Sequence, residues 1–474
     1  MDQENSKLKI SVKQILSVVV VALGIIIAVI EPFDGLKQVG HIMLGSIIIA
    51  LAIWIFRPGK GTSIVGAIIL FLGGSIAGIS IPDLASGFSS ATLWLLIPAM
   101  FLGYALMKTG LGKRIVFVLF KELKLSYIKI LIGWFIIGTI FALITPSITV
   151  RFLILTPIAV VVADACCLEK HSKGRSLIVI SAWVAAIFPG IAWQNGSLFG
   201  PVFTSYLPEG AMRNMATSQM WLQTMAPWIG FSLLFLAVLY FVLKPEQKLT
   251  VTQEQLSKMY TDLGKLSNEE KGCMAAFALL FSGLILQIFL PITTIQVLFA
   301  ALIVLLLLGV LSVKDISHGI NWDIVVFFGI ILSFSRICEI SGITSWLSPT
   351  LAALLGPIAG SQIVFVLALF GLCVFLRFFD VTQGWVSSAI LAMATPMLYE
   401  TFGINPLICI MVFICASNIF FFRYQQPWIG QAESVCGEGG WNSHHLQKAS
   451  VVYALLVVVF LVICTFYWNI IGIW

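Results

Sequence analysis

Long apolar runs, separated by short charged clusters, are the feature that most limits how this chain can fold. The first four runs cover residues 13–30, 39–56, 62–81 and 91–109, close to the length that a transmembrane helix needs. Of the 474 residues, 59% are hydrophobic and only 10% are charged, so too few polar side chains remain to cover a water-soluble fold. Strand-like alternation is absent from the runs. The sequence therefore predicts an all-α polytopic membrane protein.

Lysine and arginine gather in clusters that predict the orientation of the chain. They precede the first apolar run, recur at 108–129 and 170–175, and are frequent in the hydrophilic segment 244–272. Because cytoplasmic loops carry an excess of these residues, we expect the N-terminus and segment 244–272 in the cytoplasm, and the C-terminus outside a plasma (inner) membrane. No small-residue cleavage site follows the first run, so a retained span is expected rather than a signal peptide. The net charge of +6 reflects these loops, and no nucleic-acid partner is expected.

Two pairs of apolar segments are predicted to form hairpins inside the membrane. Segments 127–144 and 150–167 are short for full spans, are joined by the polar residues 145–149, and have basic clusters at both outer ends. Both outer ends then lie in the cytoplasm, and we interpret the pair as a re-entrant hairpin. Two ordinary spans with a short outside turn would satisfy the same charges. The second pair, 360–376 and 384–398, has no Lys or Arg in its flanks and is expected to open outside.

The chain also shows signs of an internal repeat. Three matches recur in the same order at a nearly constant separation: 106–111 with 338–343, 156–157 with 395–396, and 193–196 with 424–427, the last pair at two predicted helix breaks. Since the two hairpins open to opposite sides, the copies have opposite topology. An inverted repeat with two opposed re-entrant hairpins and two interrupted helices is typical of secondary transporters, whose substrate lies where the interruptions meet.

The remaining apolar runs complete this organisation. They lie at 176–206, 219–243, 273–290, 294–312, 321–340, 405–421 and 450–473, with a weaker amphipathic piece at 345–355. We expect five parts: N-terminal scaffold helices (1–125), a first transport core with hairpin and broken helix (126–218), connecting and scaffold helices (219–356), a second transport core (357–448), and a C-terminal span (449–474).

The interruptions gather the polar side chains expected to bind a solute. A break in the bilayer frees N–H and C=O groups, at a cost of several kcal/mol each unless something binds them. Helix N-termini and neutral amides or hydroxyls suit a carboxylate or another oxyanion. We predict substrate contacts from Ser147, Thr149, Gln194, Asn195, Ser387, Ser388, Gln425 and Gln426, with Arg151 and Arg423 as further candidates. Candidates for holding a coupling ion are Thr145, Ser197, Thr382 and Asp380.

A second interpretation of these residues stays open. Buried Ser, Thr, Asn and Gln also bond neighbouring helices without any ligand. Buried arginines offer a bidentate fork to a substrate carboxylate, but they pair equally well with acids of the protein, as Arg377 with Asp380 or Arg336 with Glu339.

Other classes of function lack the motifs they need. The chain has no GxxxxGK[ST] loop for ATP, and no grouped His and acidic residues for a metal enzyme, so neither an enzyme nor a metal site is expected. No cofactor is predicted apart from Na⁺ or H⁺ as a coupling ion. The favoured function is secondary transport of a small anion. The alternatives are an anion channel and a non-transporting membrane scaffold.

From about residue 90 to its end, the chain resembles the divalent anion/sodium symporter family of the ion-transporter superfamily. The segments that carry this resemblance are Leu263-Gly264 with Ser267 and Glu270-Lys271, the Trp322-Asp323 helix closing at Ser341-Gly342, the tip Ser147-Ile148-Thr149 with Pro157, and the chain before Pro396. The resemblance implies about eleven spans plus two opposed hairpins. It also implies a homodimer in the bilayer that moves di- or tricarboxylates, or sulfate-like oxyanions, by an elevator motion.

The sequence departs from the family at both hairpin tips. The asparagine that helps the family hold sodium at the first tip is Ile148 here. At the second tip, 386–388 replaces the family motif, and 382–384 is an alternative register. Sodium coupling therefore does not follow from the resemblance, and proton coupling or exchange remains open.

Overall fold

The fold is built from helices alone in the residues that the computed structural model describes, which are 12–56, 62–121, 126–207, 210–247, 249, 260–287, 289–320, 322–380, 383–436 and 440–474. The helices are α1 (Val12–Ile30), α2 (Gln38–Phe56), α3 (Thr62–Ile76), α4 (Ile81–Leu84), α5 (Ala91–Thr109), α6 (Leu111–Lys121), α7 (Tyr127–Ile144), α8 (Ile148–Ala165), α9 (Lys173–Ile187), α10 (Phe199–Ser205), α11 (Ala211–Met215), α12 (Ser218–Met225), α13 (Pro227–Leu243), α14 (Asn268–Leu286), α15 (Thr294–Leu307), α16 (Val313–His318), α17 (Trp322–Ile331), α18 (Phe334–Ile340), α19 (Ile343–Ala359), α20 (Gln362–Leu376), α21 (Trp385–Ala392), α22 (Thr395–Phe402), α23 (Pro406–Ser417), α24 (Pro427–Cys436) and α25 (Ser443–Ile470). Turns of 3₁₀ helix cover Ser86–Ser89, Pro189–Ala192 and Arg423–Gln425.

The two halves of the chain run through the same series of elements. α5 and the pair α17–α18 both lead into a glycine in the left-handed region, Gly110 (φ 77°) and Gly342 (φ 76°), a conformation that glycine adopts without strain. A connecting helix follows (α6 or α19), then a helical hairpin (α7–α8 or α20–α22). A broken helix (α9–α10 or α23–α24) and a closing segment (α12–α13 or α25) complete each half. The repeat predicted from the sequence is confirmed.

The two hairpins open at opposite ends of α25. At the start of α25, the Asn442 N–H donates to Ser176 Oγ at the start of α9 (3.0 Å). Near this end lies the open end of the first hairpin, where the Tyr127 hydroxyl donates to the Gln247 carbonyl. In the last turn of α25, Asn469 Oδ1 accepts from Gln362 Nε2, at the start of the second hairpin (2.9 Å). α25 has 28 residues and is roughly 42 Å long, so the hairpins open on opposite faces.

Both hairpin tips lie beside the middle of a long helix. Thr145, at the first tip, donates through Oγ1 to the carbonyl of Ala99, midway along α5 (3.2 Å). At the second tip, the Trp385 ring lies 5.6 Å from the ring of Phe328, which is in the middle of the matching segment α17–α18. The tips are therefore at mid-depth relative to the helices that flank them, as a re-entrant hairpin requires.

Several helices are long and apolar enough to cross a membrane. In the described residues, five pass by length and composition: α5, α7, α8, α25 and the 20-residue segment Lys173–Ala192. Counting two bent pairs as single spans, α12 with α13 and α17–α18 with α19, brings the number to seven. Further apolar helices of 10–17 residues lie in α1, α2, α3, α15, α20 and α23. Residues 174–192 of this last segment are all buried, which places the first broken helix at the centre of the fold. The expected number of eleven spans stays a prediction.

The remaining helices form a surrounding layer. α1 packs on α2, α2 on α3, and α3 on α17, while α14 and α15 pack on each other and on α5. The Arg114 guanidinium, on the connecting helix α6, forms an ion pair with Glu270 at the start of α14 (2.7 Å). Glu270 also closes a capping box with Ser267, which fixes where α14 begins. The hairpins are thus linked to the surrounding helices through α5 and α6.

Candidate functional site

The first hairpin tip is a short turn held by its own hydroxyl groups. Thr145 Oγ1 accepts from the Ser147 N–H (3.2 Å), and Ser147 Oγ accepts from the Val150 N–H (3.4 Å) as the N-cap of α8. Such caps satisfy N–H groups that have no partner within the helix. Thr145 and Ser147 are buried, whereas Thr149 is half-buried. The tip therefore presents the N-terminus of α8, with its partial positive charge, inside the protein.

Arg151 is the most unusual residue of this tip. Its side chain is completely buried, and none of its three guanidinium nitrogens has a hydrogen-bond partner among the described residues. A methyl group placed on Gly190 would lie 2.5 Å from Arg151 Nη1 and would also collide with the Gly196 carbonyl. The guanidinium therefore packs against the first helix break, beside a glycine that leaves room for it. A buried charge that has no hydrogen-bond acceptor among the described residues is costly, so this guanidinium is available to bind an anionic group.

The first helix break uses some of its polar groups to hold itself together. Gln194 donates through Nε2 to the Ala216 carbonyl (2.8 Å) and accepts from Ser218 Oγ (2.7 Å). Asn195 is exposed. Ser197 is completely buried, and its hydroxyl has no partner in the part of the chain that the structure describes. Of these predicted residues, Ser197 is the one with an unused buried group.

The second tip is a turn after α20 that ends with two left-handed residues, Gln383 (φ 63°) and Gly384 (φ 83°). Its position matches the 382–384 register rather than 386–388, although Thr382 itself lies outside the described residues. Ser387 lies in the first turn of α21, where its N–H (2.9 Å) and its hydroxyl (2.8 Å) both donate to Asp380 Oδ2. Asp380 thus caps α21, and Ser388 is buried in the same turn.

The second helix break is tied to the second tip by Arg377. This buried guanidinium donates to the carbonyls of Asp380 and Gln425. The Gln425 side chain donates back to the Arg377 carbonyl (3.3 Å) and accepts from the Phe422 N–H (3.1 Å). Gln426 is buried, and its Oε1 has no hydrogen-bond partner among the described atoms. In contrast, Arg423 is exposed and forms an ion pair with Glu433.

An aromatic cluster brings the interruptions together. The Trp385 ring, which starts α21 at the second tip, lies 5.2 Å from both Phe199 and Phe203 of α10. Phe199 also contacts Trp428 of α24 (6.0 Å). α24 in turn packs against α8, the second arm of the first hairpin. Each hairpin therefore contacts the second half of the broken helix from the other repeat, which is how an inverted repeat encloses a central site.

Several buried polar atoms at these interruptions have no hydrogen-bond partner in the part of the chain that the structure describes. Besides Arg151, they include Ser197 Oγ, Gln383 Nε2, Ser417 Oγ, Asn418 Oδ1 and Gln426 Oε1. Native proteins rarely leave such atoms unpaired, so these groups are available to bind a polar ligand. Ser417 and Asn418 were not predicted from the sequence. They end α23 just before the break, and the signal that could have found them is that they are the polar pair inside the apolar run 405–421.

The fold and this site define a polytopic helical membrane transporter built on an inverted repeat. The profile of the sodium:sulfate symporter transmembrane region matches residues 11–474. The chain belongs to this family and is a transporter rather than an enzyme, as the sequence predicts.

Relatives are similar over most of their length. A Haemophilus influenzae uncharacterized transporter is 26% identical over 412 residues, which cover 80% of this chain and 81% of that one. The L-tartrate/succinate antiporter of Escherichia coli (strain K12) is 24% identical, covering 81% and 79%. The putative malate transporter YflS of Bacillus subtilis is 23% identical, covering 71% and 72%. The crystal structure of the Alcanivorax borkumensis YdaH transporter, described as having an unusual topology, aligns with 84% of this chain and 89% of its own. Its TM-score is 0.58 and its identity 14%, which supports the fold alone.

Proposed function

We propose that the protein is a secondary transporter of a small dicarboxylate or sulfate-like oxyanion. The observation that carries this proposal is Arg151. Its buried guanidinium lies at mid-depth between the first hairpin tip and the first helix break, and has no hydrogen-bond partner among the described residues. A planar guanidinium matches the two oxygens of a carboxylate or sulfate group bidentately. The N-terminus of α8 adds a second positive feature at the same place. The named substrates of the relatives, tartrate, succinate and malate, belong to this class of anion.

The substrate, in this proposal, contacts only part of the predicted residue set. Arg151, Ser147 and Thr149 act from the first tip, and Gln426 with Ser388 from the second half. Gln194, Gln425 and Ser387 shape the site indirectly, because their side chains bond the backbone or a neighbouring side chain. Asn195 and Arg423 lie at exposed positions and contribute at the entrance. Thr145, Ser197 and Asp380 remain candidates for holding a coupling ion, Na⁺ or H⁺.

The mechanism we favour is an elevator motion. The two cores, 126–218 and 357–448, contact each other through the aromatic cluster and through α24 on α8, so they would move as one body. Gly110 and Gly342 precede the connecting helices at matching places, where a change of backbone angle meets little resistance. The scaffold helices would stay fixed in the inner membrane as a homodimer, with a cytoplasmic N-terminus and an outside C-terminus.

Uptake into proteoliposomes tests this function. Labelled succinate, malate, citrate or sulfate would be added outside vesicles that contain the purified protein. Uptake would be compared between vesicles preloaded with the unlabelled anion and empty vesicles. We expect saturable uptake of at least one anion that is stimulated from the opposite side. A channel would instead give large currents without such stimulation. If none of the four anions moves under any gradient, the proposal is wrong.

A further inference from the structure

An apolar groove runs between α7 and α13 on the exposed surface of the fold. Its volume is about 290 Å³, and it is lined by three side chains of α7 and five of α13, all of them aliphatic or aromatic. Ile128 and Ile132 on α7, and Leu233 and Phe241 on α13, are exposed. Leu233 and Phe241 lie roughly 12 Å apart along α13, close to the depth of hydrocarbon in one leaflet of a bilayer whose core is about 30 Å thick. The groove therefore faces the membrane and has the length to hold part of an acyl chain.

One end of the groove lies where α7 begins and α13 ends, and it carries two lysines. The Tyr127 hydroxyl, at the start of α7, donates to the Gln247 carbonyl just after α13 (2.9 Å). The Tyr127 ring also lies 6.5 Å from the ring of Tyr240, which lines the groove. Lys129 is in the first turn of α7, and Lys244 directly follows α13, so both flank this end of the groove. From such positions, lysine side chains reach the polar surface of a membrane.

These two lysines are available to bind an anionic group. Both are exposed, and neither forms an ion pair within the described segments. Glu246, the acid closest to Lys244 in the chain, already pairs with Lys173 at the start of α9. A lysine near a membrane surface favours an anionic headgroup about fivefold, and two act together by about thirtyfold. The end of the groove therefore complements a negative headgroup, while its length complements an acyl chain.

We propose that the groove between α7 and α13 is a binding site for an anionic phospholipid. One acyl chain lies along the groove past Ile132 and Ala237, and the phosphate binds Lys129 and Lys244. The Tyr240 ring lies at the boundary between hydrocarbon and headgroup, a position that suits its apolar ring and polar hydroxyl. A neutral phospholipid offers the same chains, but its headgroup cation is repelled by the two lysines. Since α13 packs on both α7 and α9, the bound lipid stabilises the first hairpin against the first broken helix.

Thermal unfolding of the purified protein in mixed micelles tests this site. Dodecyl maltoside micelles would contain a rising mole fraction of dioleoylphosphatidylglycerol, or of dioleoylphosphatidylcholine as the neutral lipid. A third series would contain glycerol 3-phosphate, which has the phosphate but no acyl chains. We expect a saturable rise in Tm with phosphatidylglycerol alone. No rise with phosphatidylglycerol, or an equal rise with phosphatidylcholine or glycerol 3-phosphate, would overturn the proposal.

Substitutions separate the headgroup contact from the acyl-chain contact. In the double variant Lys129→Gln with Lys244→Gln, the phosphatidylglycerol fraction that gives half of the rise in Tm should increase about thirtyfold. Lys271→Gln with Lys314→Gln, at exposed positions on α14 and α16, removes the same charge away from the groove and should leave that fraction unchanged. Ala237→Trp fills the groove and should abolish the rise, while the Tm in lipid-free micelles stays the same. An unchanged response to phosphatidylglycerol in the first double variant or in Ala237→Trp would contradict the proposal.

Discussion

At the scale of single residues, burial and pairing distinguish the arginines that the sequence presents as similar. Arg151 and Arg423 both lie next to a predicted interruption. Arg151 is buried without a hydrogen-bond partner among the described residues, whereas Arg423 is exposed beside Glu433. Arg377 is buried but bonded to the backbone of the second tip and the second break. Sequence pattern identified the type of residue. It could not assign partners, because these come from segments that meet only after folding.

Arg151→Lys separates bidentate binding from simple attraction. Lysine retains the charge but loses the planar guanidinium. We therefore expect the apparent KM for substrate to rise about ten- to a hundredfold, while the protein still inserts into the membrane. Uptake at a series of substrate concentrations measures this. An unchanged KM in Arg151→Lys would mean that Arg151 acts only as a point charge.

The glutamines of the two breaks should respond differently to substitution. Gln194→Ala removes two hydrogen bonds between the break and 216–218, and should lower stability by roughly 1–2 kcal/mol, seen as a lower Tm. Gln426→Ala removes a side chain whose oxygen has no hydrogen-bond partner within the described segments, so it should weaken substrate affinity with little change in Tm. If Gln194→Ala instead weakened substrate affinity and Gln426→Ala lowered the Tm, the substrate would have to be placed at the first break.

At the scale of elements, the sequence predicted the hairpins and both broken helices, because apolar runs and polar interruptions are local patterns. The sequence allowed two positions for the second tip, 386–388 and 382–384. The left-handed backbone at Gln383 and Gly384 decides between them, and backbone angles at a non-glycine residue are not visible in a pattern of apolar and polar residues. The long helix predicted at 405–421 ends four residues earlier, at Ser417, where the polar pair Ser417-Asn418 interrupts the apolar run.

A substitution at Gly190 tests whether the close packing of Arg151 against the first helix break matters for transport. A methyl group at this position would collide with Arg151 Nη1 and with the Gly196 carbonyl, so Gly190→Ala should displace the guanidinium and reduce transport at least tenfold. Gly230, in α13, is the matched control because, apart from its own helix backbone, no described atom lies within 4 Å of an added methyl group. Gly230→Ala should leave transport and Tm nearly unchanged. Equal transport by both variants would show that the close contact at Gly190 has no functional role.

At the scale of the whole molecule, the two faces defined by α25 give the topology a direct test. Glu246 is exposed near the start of α25, and Asn469 is exposed at its end. In a Cys167→Ser background, which removes an exposed native thiol, Glu246→Cys should be labelled from the cytoplasm and Asn469→Cys from outside. Labelling of both positions from one side of intact cells would contradict the arrangement of opposed hairpins.

The central claim is that a small divalent anion binds at Arg151, and ligand-dependent thermal unfolding of the purified protein measures this most directly. A ligand at a hundred times its Kd stabilises the folded state by about 2.7 kcal/mol, which is easily detected as a rise in Tm. With succinate, malate, citrate and sulfate, we predict a saturable rise for at least one anion in the wild type and none in Arg151→Gln. An equal rise in Arg151→Gln, or no rise with any of the four anions in the wild type, would contradict the claim.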